Sequence, residues 1–498
     1  MIDCSPEGHQ PEVATRIFQG VQHPVCITIA SRSPSNDSDK PARVHYRSLA
    51  KGRREAKFDE LKTISVASSG WVDGATDWRA PFLPELTGGW ADFVPLDLLL
   101  GDVGPGIMPG RTWAVAPDSL SLRLRWEVLK NEPDKEEKQR LFHPQLRQGE
   151  LAGRHIRKYV NEGLGERTPS KLTIDEDTGA LIPPVRYALR SFDRQWLPPD
   201  ARLLNDPRPR LWKLESPHQL FLTAPMDLAP ANGPAATFTA CLPDQHHYAG
   251  RGGRVFPLWE DAAAEKGNVT YAAMKALTKQ HGAAPKSEDV FAYVAALLAN
   301  PAYTEKFKSD LVRPGLRVPL TADKKLFAKA AEIGREVIWL HTFGERFADP
   351  AQGRPAGQPK LPDAERPKVL AGHPIPDTPQ GFPDTIDYDP AKQELKIGSG
   401  AIAPVAAEVW AYEVSGKQVL RQWFSYRKKN REKPQIGDRR PPSPLGEIQP
   451  DHWLPEYTTE LLNVINVLGL LVKLEPKQKA LLDEIVDGPL IPASKLAS

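Results

Sequence analysis

The chain has 498 residues, 40% of them hydrophobic and 26% charged, and this length suggests two or three globular domains. The formal net charge is only +2, which excludes a polybasic tail but leaves room for a local basic groove. No window approaches the roughly 18 apolar residues of a membrane helix and no secretory leader is recognisable, so we expect a cytoplasmic protein without a membrane partner.

The first elements suggest strands. Residues 12–32 contain an apolar run that predicts a buried strand, and residues 42–49 alternate like its hairpin partner. The segment between them is dense in turn-forming residues. A hairpin needs a sheet to join, so we expect this region to be the end of an α/β domain.

A helix is predicted to begin near Asp118 or Ser119, either of which can act as N-cap. Its apolar face follows at helical spacing with Leu122, Trp126 and Leu129. Farther along, residues 180–258 predict short strands that are broken by Pro and Gly. The middle of the chain should therefore mix helices and strands.

Residues 288–299 and 323–347 are the clearest helical stretches, and Thr321 or Asp323 can cap the second. Residues 349–383 then hold nine prolines in thirty-five positions. Such a composition predicts either a semi-rigid extended connector or a loop draped over the surface.

The last part of the chain predicts a hairpin at 385–400, a helix at 416–429 and a long apolar helix from about Tyr457 to Leu474. No internal repeat or heptad run accompanies them. The whole pattern predicts the α+β fold class.

The motifs of the common enzyme classes are absent: there is no phosphate loop with a trailing Lys-Ser/Thr, no G-x-S-x-G elbow and no H-E-x-x-H pair. One stretch matches the loose P-D…E-x-K pattern of metal-dependent nucleases, in which carboxylates hold magnesium and a lysine steadies the nucleophile. Its residues are Asp384, Glu394 and Lys396. The more common alternative is a hairpin with solvent-facing charges around an Asp-Pro turn.

Residues 237–259 place two adjacent histidines among glycines and arginines, between apolar ends. Cys241, His246 and His247 are conceivable zinc ligands, but adjacent histidines point to different sides in regular structure. The three cysteines of the chain are too few and too scattered for a disulfide framework or a four-thiolate site. We therefore expect no bound metal.

The same stretch also suits a contact loop. Glycines let a backbone approach a ligand closely, Arg251 and Arg254 can pair with phosphate or with guanine, and Tyr248 can stack on a base. The simpler alternative is a turn whose aromatic and arginine side chains only pack.

Residues 421–440 form a second basic and aromatic cluster. Eight Arg/Lys and two acids give it a local net charge of +6 beside three aromatic residues. Phosphate contact suits such a patch, although a charge run is often only a solvated face. The residues expected to contact phosphate are Arg427, Lys428, Lys429 and Arg431.

A third cluster at 183–199 spaces Arg186, Arg190 and Arg194 four residues apart and interleaves them with aromatic residues. On a helix the three arginines would share one face, although the flanking prolines limit its length. Arginine with interleaved aromatics is the usual chemistry of nucleic-acid contact.

Four long stretches, 186–205, 237–259, 319–347 and 386–429, together resemble the C-terminal specificity domain of type ISP restriction-modification enzymes. Members of that family join a nuclease, a helicase-like motor, an N6-adenine methyltransferase and a target-recognition domain in one chain. The resemblance covers nearly the whole sequence and implies DNA recognition.

Residues 16–32 resemble the last conserved block of gamma-class N6-adenine methyltransferases, in which an aromatic stacks on the flipped adenine. Phe18 matches that aromatic. The Asn-Pro-Pro-Tyr/Phe tetrapeptide of the family occurs nowhere, and no glycine-rich S-adenosylmethionine loop precedes Phe18. The resemblance thus implies S-adenosylmethionine for a complete enzyme, no cofactor bound by this chain alone, and a separate methyltransferase, helicase or nuclease polypeptide as a partner.

The resemblance also implies a division of the chain. Residues 1–85 would be the tail of the methyltransferase domain, a remnant of its α/β sheet; residues 86–365 the main part of a mixed α/β target-recognition domain; and residues 366–498 its C-terminal hairpin and helical part. We expect a module that recognises double-stranded DNA and is inactive as an enzyme by itself. The alternatives are a subunit that completes a split N6-adenine methyltransferase and, with less support, the nuclease.

Overall fold

The computed structural model describes all residues except 7–14, 19–20, 22–23, 35–36, 38, 75–81, 85–88, 227, 249–252, 312–314, 432–439 and 497–498. The chain divides into two compact units, Met1–Ala91 and Asp92–Ser498. Helices and small sheets occur in both, which confirms the α+β class.

The described residues of the first unit form a four-stranded sheet and a longer helix. These elements are β1 (Ile2–Asp3), β2 (Cys26–Ile27), β3 (His45–Ser48), α1 (Arg54–Thr63) and β4 (Val72–Asp73). The strand order in the sheet is β2-β1-β3-β4.

The predicted N-terminal hairpin is wrong in its pairing. Strands β2 and β3 both pair with β1, the first antiparallel and the second parallel. The apolar run is not a buried strand either, because Cys26 is exposed and Ile29 is 81% exposed. The core of this unit is built instead from Ile2, Cys4, Ile17 and Leu49.

From residue 89 onward α-helices alternate with the strands of several small sheets. The described helices are α2 (Gly89–Asp92), α3 (Leu96–Leu99), α4 (Ser119–Asn131), α5 (Lys135–Phe142), α6 (Pro209–Lys213), α7 (Tyr271–His281), α8 (Ser287–Leu298), α9 (Pro301–Lys306), α10 (Lys324–His341), α11 (Ala407–Ala411), α12 (Val419–Ser425) and α13 (Pro455–Asp487).

Helix α4 confirms its predicted start and its buried face. Asp118 is the N-cap, and its carboxylate accepts a hydrogen bond from Ser121 N at 2.7 Å. The three residues at helical spacing, Leu122, Trp126 and Leu129, are all buried. The cap and the apolar spacing together explain why this helix was predictable.

Helices α8 and α10 form the centre of the second unit, as their apolar periodicity predicted. Helix α8 is buried from Val290 to Leu298, and Asp323 caps α10 through Lys325 N and Leu326 N. The two backbones approach closely at Gly334, where a Cβ would lie 1.6 Å from Ala292 O. Only glycine fits at that crossing.

The strands of the second unit form several small sheets. The described strands are β5 (Val94–Pro95), β6 (Gln145–Arg147), β7 (Glu150–Ala152), β8 (Val185–Arg190), β9 (Asp193–Leu197), β10 (Phe221–Pro225), β11 (Thr237–Thr239), β12 (Leu242–Pro243), β13 (Gly253–Pro257), β14 (Arg317–Val318), β15 (Lys368–Val369), β16 (Ile386–Asp389), β17 (Glu394–Ile397), β18 (Gly400–Ala403), β19 (Glu413–Val414) and β20 (Lys417–Gln418). Three of the sheets have the strand orders β12-β8-β9, β11-β10-β13 and β15-β18-β17-β16.

Helix α13 is longer than predicted because it continues through Pro476 to Asp487. Its apolar face persists there, and Leu481, Leu482 and Ile485 are buried. This is the one helix among the described residues that is long and apolar enough to cross a membrane, so the expectation that no stretch comes near this composition is corrected. Its most apolar 18 residues are 56% buried inside the protein, as in a core helix.

The Pro-rich stretch 349–383 packs on the body of the second unit and is not a free connector. Leu361 is buried, and its backbone N donates to Asn466 Oδ1 of α13 at 2.8 Å. Strand β15 adds the stretch to the sheet of the predicted hairpin β16–β17. Of the two predicted alternatives, the draped loop describes it.

Candidate nucleic-acid interface

The arginines at 186, 190 and 194 lie on a β-hairpin and not on a helix. Arg186 and Arg190 belong to β8, and Arg194 belongs to β9. The register places Arg186 opposite Trp196 and Arg194 opposite Ala188. Because side chains alternate along a strand, Arg186 and Arg194 still point to the same face of the hairpin.

The two arginines of β8 already have carboxylate partners. Arg186 Nη2 lies 2.5 Å from Glu460 Oε1, and Arg190 Nη1 lies 3.0 Å from Asp244 Oδ1. Burial lowers the pKa of Arg190, but the charge of Asp244 raises it above its ordinary value, so this guanidinium stays charged. Both side chains hold the hairpin to neighbouring elements.

Arg194 is enclosed in a similar way. It forms an ion pair with Glu345, and its guanidinium carbon lies 4.0 Å from the centroid of the Phe343 ring. Only 16% of its side chain is exposed. A guanidinium that is neutralised and stacked inside the protein is a poor reader of DNA bases. The DNA contact predicted for the arginines at 186, 190 and 194 stays a prediction.

Tyr248 and His247 belong to the protein interior. Tyr248 is 1% exposed, its hydroxyl donates to Pro234 O at 2.9 Å, and burial raises its pKa. His247 Nδ1 lies 2.8 Å from Thr223 Oγ1, and burial, followed by the charge of Arg190, lowers its pKa to about 3. The stacking role predicted for Tyr248 is therefore corrected, because its ring has no exposed face.

The glycine-rich part of the stretch at 237–259 is only partly described. Arg251 lies outside the described residues. Arg254 is a partly buried residue of β13 and lines an open groove with Arg317 and Asp97. Sequence reasoning missed Arg317, because β14 meets β5 across more than two hundred residues of chain and no local pattern signals that pairing.

The nuclease pattern does not assemble into a metal site. In the register of β16 with β17, Glu394 lies opposite Asp389 at the closed end of the hairpin, whereas Asp384 precedes its open end. About five strand residues separate the two carboxylates along the hairpin, on the order of 16 Å. The described part of the chain contains no cluster of three or more His, Cys, Asp or Glu that could hold a metal ion.

Arg427 is a buried junction between three elements. Its Nη2 lies 2.7 Å from Asp193 Oδ1 on β9 and 3.4 Å from Glu460 Oε2 on α13. Its Nη1 donates to Trp423 O at 2.9 Å. The side chain is 0% exposed, so the predicted phosphate contact is corrected: the carboxylates that bind Arg427 are internal.

Arg431 also turns inward, and Arg440 is fixed to the body of the unit. Burial lowers the pKa of Arg431, while the neighbouring Tyr457 and Asp118 act in the opposite direction. Arg440 Nη2 donates to Pro144 O at 2.6 Å. The local net charge of +6 therefore overstates the charge that this cluster offers to a ligand.

Lys428 and Lys429 remain at the surface between the two inward arginines. Lys428 is partly exposed and Lys429 is exposed. The backbone N of Lys429 donates to Pro383 O at 2.9 Å, and the next residue, Asn430, is hydrogen bonded to Asp384. We call residues 428–430 the lysine segment; it presents two cations on an ordered backbone.

Phe18 lies in the first unit and is 56% exposed. An exposed ring is free of the core and has a face on which a base could stack. Its predicted role as an adenine-stacking residue stays a prediction.

Comparisons with known proteins agree with this architecture. The fold is similar to a DrdV–DNA complex solved by cryo-EM, with a TM-score of 0.53, 17% identity, and coverage of 90% of this chain and 44% of that one. It is also similar to a nuclease-deletion mutant of the Type ISP restriction-modification enzyme LlaGI in complex with a DNA substrate mimic. The TM-score is 0.50 and the identity 15%, and the match covers 87% of this chain and 33% of that one. A third similar structure is the ATP-dependent Type ISP restriction-modification enzyme LlaBIII bound to DNA. Here the TM-score is 0.53 and the identity 13%, and the match covers 90% of this chain and 28% of that one.

These similarities concern the fold, and the chain spans less than half the length of each of the three structures. No curated protein matches the sequence. The family described as the Type ISP C-terminal specificity domain matches residues 99–463, which is well over half of the chain. The chain therefore belongs to the Type ISP C-terminal specificity domain family.

Proposed function

We propose that this chain is a DNA target-recognition module of a type ISP-like restriction-modification system. The observation that carries the proposal is its membership of the specificity-domain family over residues 99–463. The fold it shares with three enzymes whose structures contain DNA adds support. Double-stranded DNA is the proposed partner.

We assign the candidate contacts to two kinds. Lys428 and Lys429 suit phosphate contact, since a lysine is a mobile point charge that reads no sequence. Arg254, beside the glycine-rich stretch, suits base reading, because a guanidinium can bind the O6 and N7 of guanine together. Arg427 and Arg431 fix the scaffold that carries the lysines.

Selection from a random duplex pool by the full chain tests sequence recognition. A target-recognition module should enrich one short motif, and its affinity for that motif should fall steeply with salt as counterions return to the DNA. Binding that enriches no motif and ignores salt would overturn the proposal.

Paired substitutions then test the lysine segment. Lys428→Ala with Lys429→Ala should weaken binding to all duplexes alike and lower the slope of log affinity against log salt by about 2, roughly one per lost phosphate contact. Lys275 and Lys279 are exposed on α7 and provide a matched control pair. Their replacement by alanine should leave the affinity and the slope unchanged.

We also consider a subunit of a split N6-adenine methyltransferase, which the exposure of Phe18 favours. The residues present do not form an S-adenosylmethionine site, because the sequence has neither the glycine-rich loop nor the catalytic tetrapeptide. Another polypeptide would have to supply both. Methyl transfer from labelled cofactor should require such a partner and should fail with Phe18→Ala; transfer by the wild-type chain alone would contradict this candidate.

A further inference from the structure

Asp384 holds Asn430 with both oxygens of its carboxylate. Oδ1 accepts from the backbone N of Asn430 and Oδ2 accepts from Asn430 Nδ2, each at 2.8 Å. Both residues are exposed, so the contact is not a by-product of core packing. It fixes the chain at the residue that directly follows Lys428 and Lys429.

Neighbouring groups hold the same segment from other sides. Lys429 N donates to Pro383 O at 2.9 Å, and Gln449 Nε2 donates to Lys429 O at 2.7 Å. The buried Arg427 fixes the chain immediately before Lys428. The backbone that carries both lysines is therefore ordered before any ligand binds.

The charge of Asp384 makes its position informative. Burial raises the pKa of this carboxyl, but hydrogen bonds from Asn430 and the charges of Lys428 and Lys429 outweigh it, and the pKa lies below its ordinary value. The group is therefore ionised at neutral pH. A carboxylate next to a phosphate-binding lysine repels DNA, which is a disadvantage unless the carboxylate has another use.

We propose that Asp384 and Asn430 are positioning residues that hold Lys428 and Lys429 in place for DNA phosphates. This inference rests on the proposed function. An ordered backbone reduces the conformational entropy that is lost on binding. The contact between Asp384 and Asn430, which we call the clamp, therefore raises affinity although one of its members is an acid. Asp384, which the sequence pattern suggested as a nuclease ligand, thereby has a different role.

Positioning and simple electrostatics predict opposite results for Asp384→Ala. If Asp384 only repels phosphate, its removal tightens binding of the full chain to a fluorescent mixed-sequence duplex. If it positions the lysines, binding weakens, by about threefold to tenfold. Asn430→Ala changes no charge and should weaken binding to a similar degree. The double variant should be no weaker than either single variant, because both remove one contact.

A conservative variant and a matched acid complete the experiment. Asp384→Asn keeps one acceptor oxygen and should recover part of the affinity. Asp377 is an exposed acid of the same Pro-rich stretch, and Asp377→Ala should bind as tightly as wild type or tighter. Thermal unfolding of each variant should match that of the wild type, since the clamp is exposed.

Two outcomes overturn different statements. If Lys428→Ala with Lys429→Ala weakens binding while Asp384→Ala does not, the positioning role is wrong and the lysine contacts stand. If the lysine pair also keeps wild-type affinity, the lysine segment is not a DNA contact, and the contact surface assigned under the proposed function fails with it.

Discussion

Arg427 Nη2 lies 2.7 Å from Asp193 Oδ1, and the two side chains are 0% and 2% exposed. Burial lowers the pKa of Arg427, but the charges of Asp193 and Glu460 raise it above its ordinary value, so the guanidinium stays charged. The two residues are more than two hundred positions apart in the sequence. This pair joins the segment after α12 to the hairpin of β8 and β9.

Arg427→Ala should strongly destabilise the protein. The substitution leaves the buried carboxylate of Asp193 without a cation, and we expect a loss of about 3–5 kcal/mol in the free energy of unfolding. Chemical denaturation measures it. Arg421 is an exposed residue of α12 that lies over Trp410. Arg421→Ala should cost less than about 1 kcal/mol, and equal losses for the two variants would contradict the role given to Arg427.

Gly334→Ala should disrupt the crossing of α8 and α10. An added Cβ would lie 1.6 Å from Ala292 O, a backbone atom that cannot move alone. Overpacking of this kind costs about 1–3 kcal/mol or more, and we expect the upper end. Gly104 has open space around its added Cβ, and Gly104→Ala should be nearly neutral. A melting temperature of Gly334→Ala close to that of wild type would show that the helices can separate freely.

The buried histidines should make the protein sensitive to acid. Burial lowers the pKa of His341 to about 3 and, with the charge of Arg190, does the same for His247. The unfolded chain takes up these protons near pH 6.5 and the folded chain does not, so stability falls as the pH drops from about 6.5 towards 3. Each histidine contributes at most about 1.4 kcal/mol per pH unit.

Denaturation at pH 7.5 and pH 5 tests this expectation. His247→Gln should remove roughly 1–2 kcal/mol of the stability difference between the two pH values. His373 is exposed and serves as the control, because His373→Gln should leave the difference intact. An unchanged difference in His247→Gln would mean that this histidine accepts its proton in the folded state.

Glu475 on α13 should act in the opposite direction. Burial raises its pKa to about 7, so the folded protein holds this proton more tightly than the unfolded chain. The contribution of this proton to the free energy of unfolding is complete at low pH and is lost as the pH rises through about 7. Glu475→Gln should therefore be more stable than wild type at pH 8, by about 1–2 kcal/mol after allowance for partial exposure. Glu456→Gln, an exposed change on the same helix, should show no gain.

The local patterns of the sequence predicted local structure well. The Asp118 cap, the apolar face of α4 and the helices α8 and α10 depend on neighbours within a few residues, and each is present where predicted, although α10 ends at His341 and not at residue 347. The predicted helix ended at about Leu474, whereas α13 continues through Pro476, because tertiary burial of Leu481 and Ile485 outweighs the helix-breaking tendency of proline.

The candidate site was harder to predict, because its charges are neutralised by distant residues. Composition alone cannot distinguish Arg427 from Lys429, although one is buried and the other exposed. The distinction depends on Asp193, which lies on another element. A basic cluster in a sequence therefore combines cations that build the scaffold with cations that a ligand can reach.

The contacts of the basic cluster limit how it could be exchanged between specificity domains. Arg427 is held by Asp193, Asn430 by Asp384, and Arg440 by the Pro144 carbonyl. A chimera that received residues 421–440 alone would carry these side chains without the groups that neutralise them or accept their hydrogen bonds. The cluster and its three distant partners would therefore have to be transferred together.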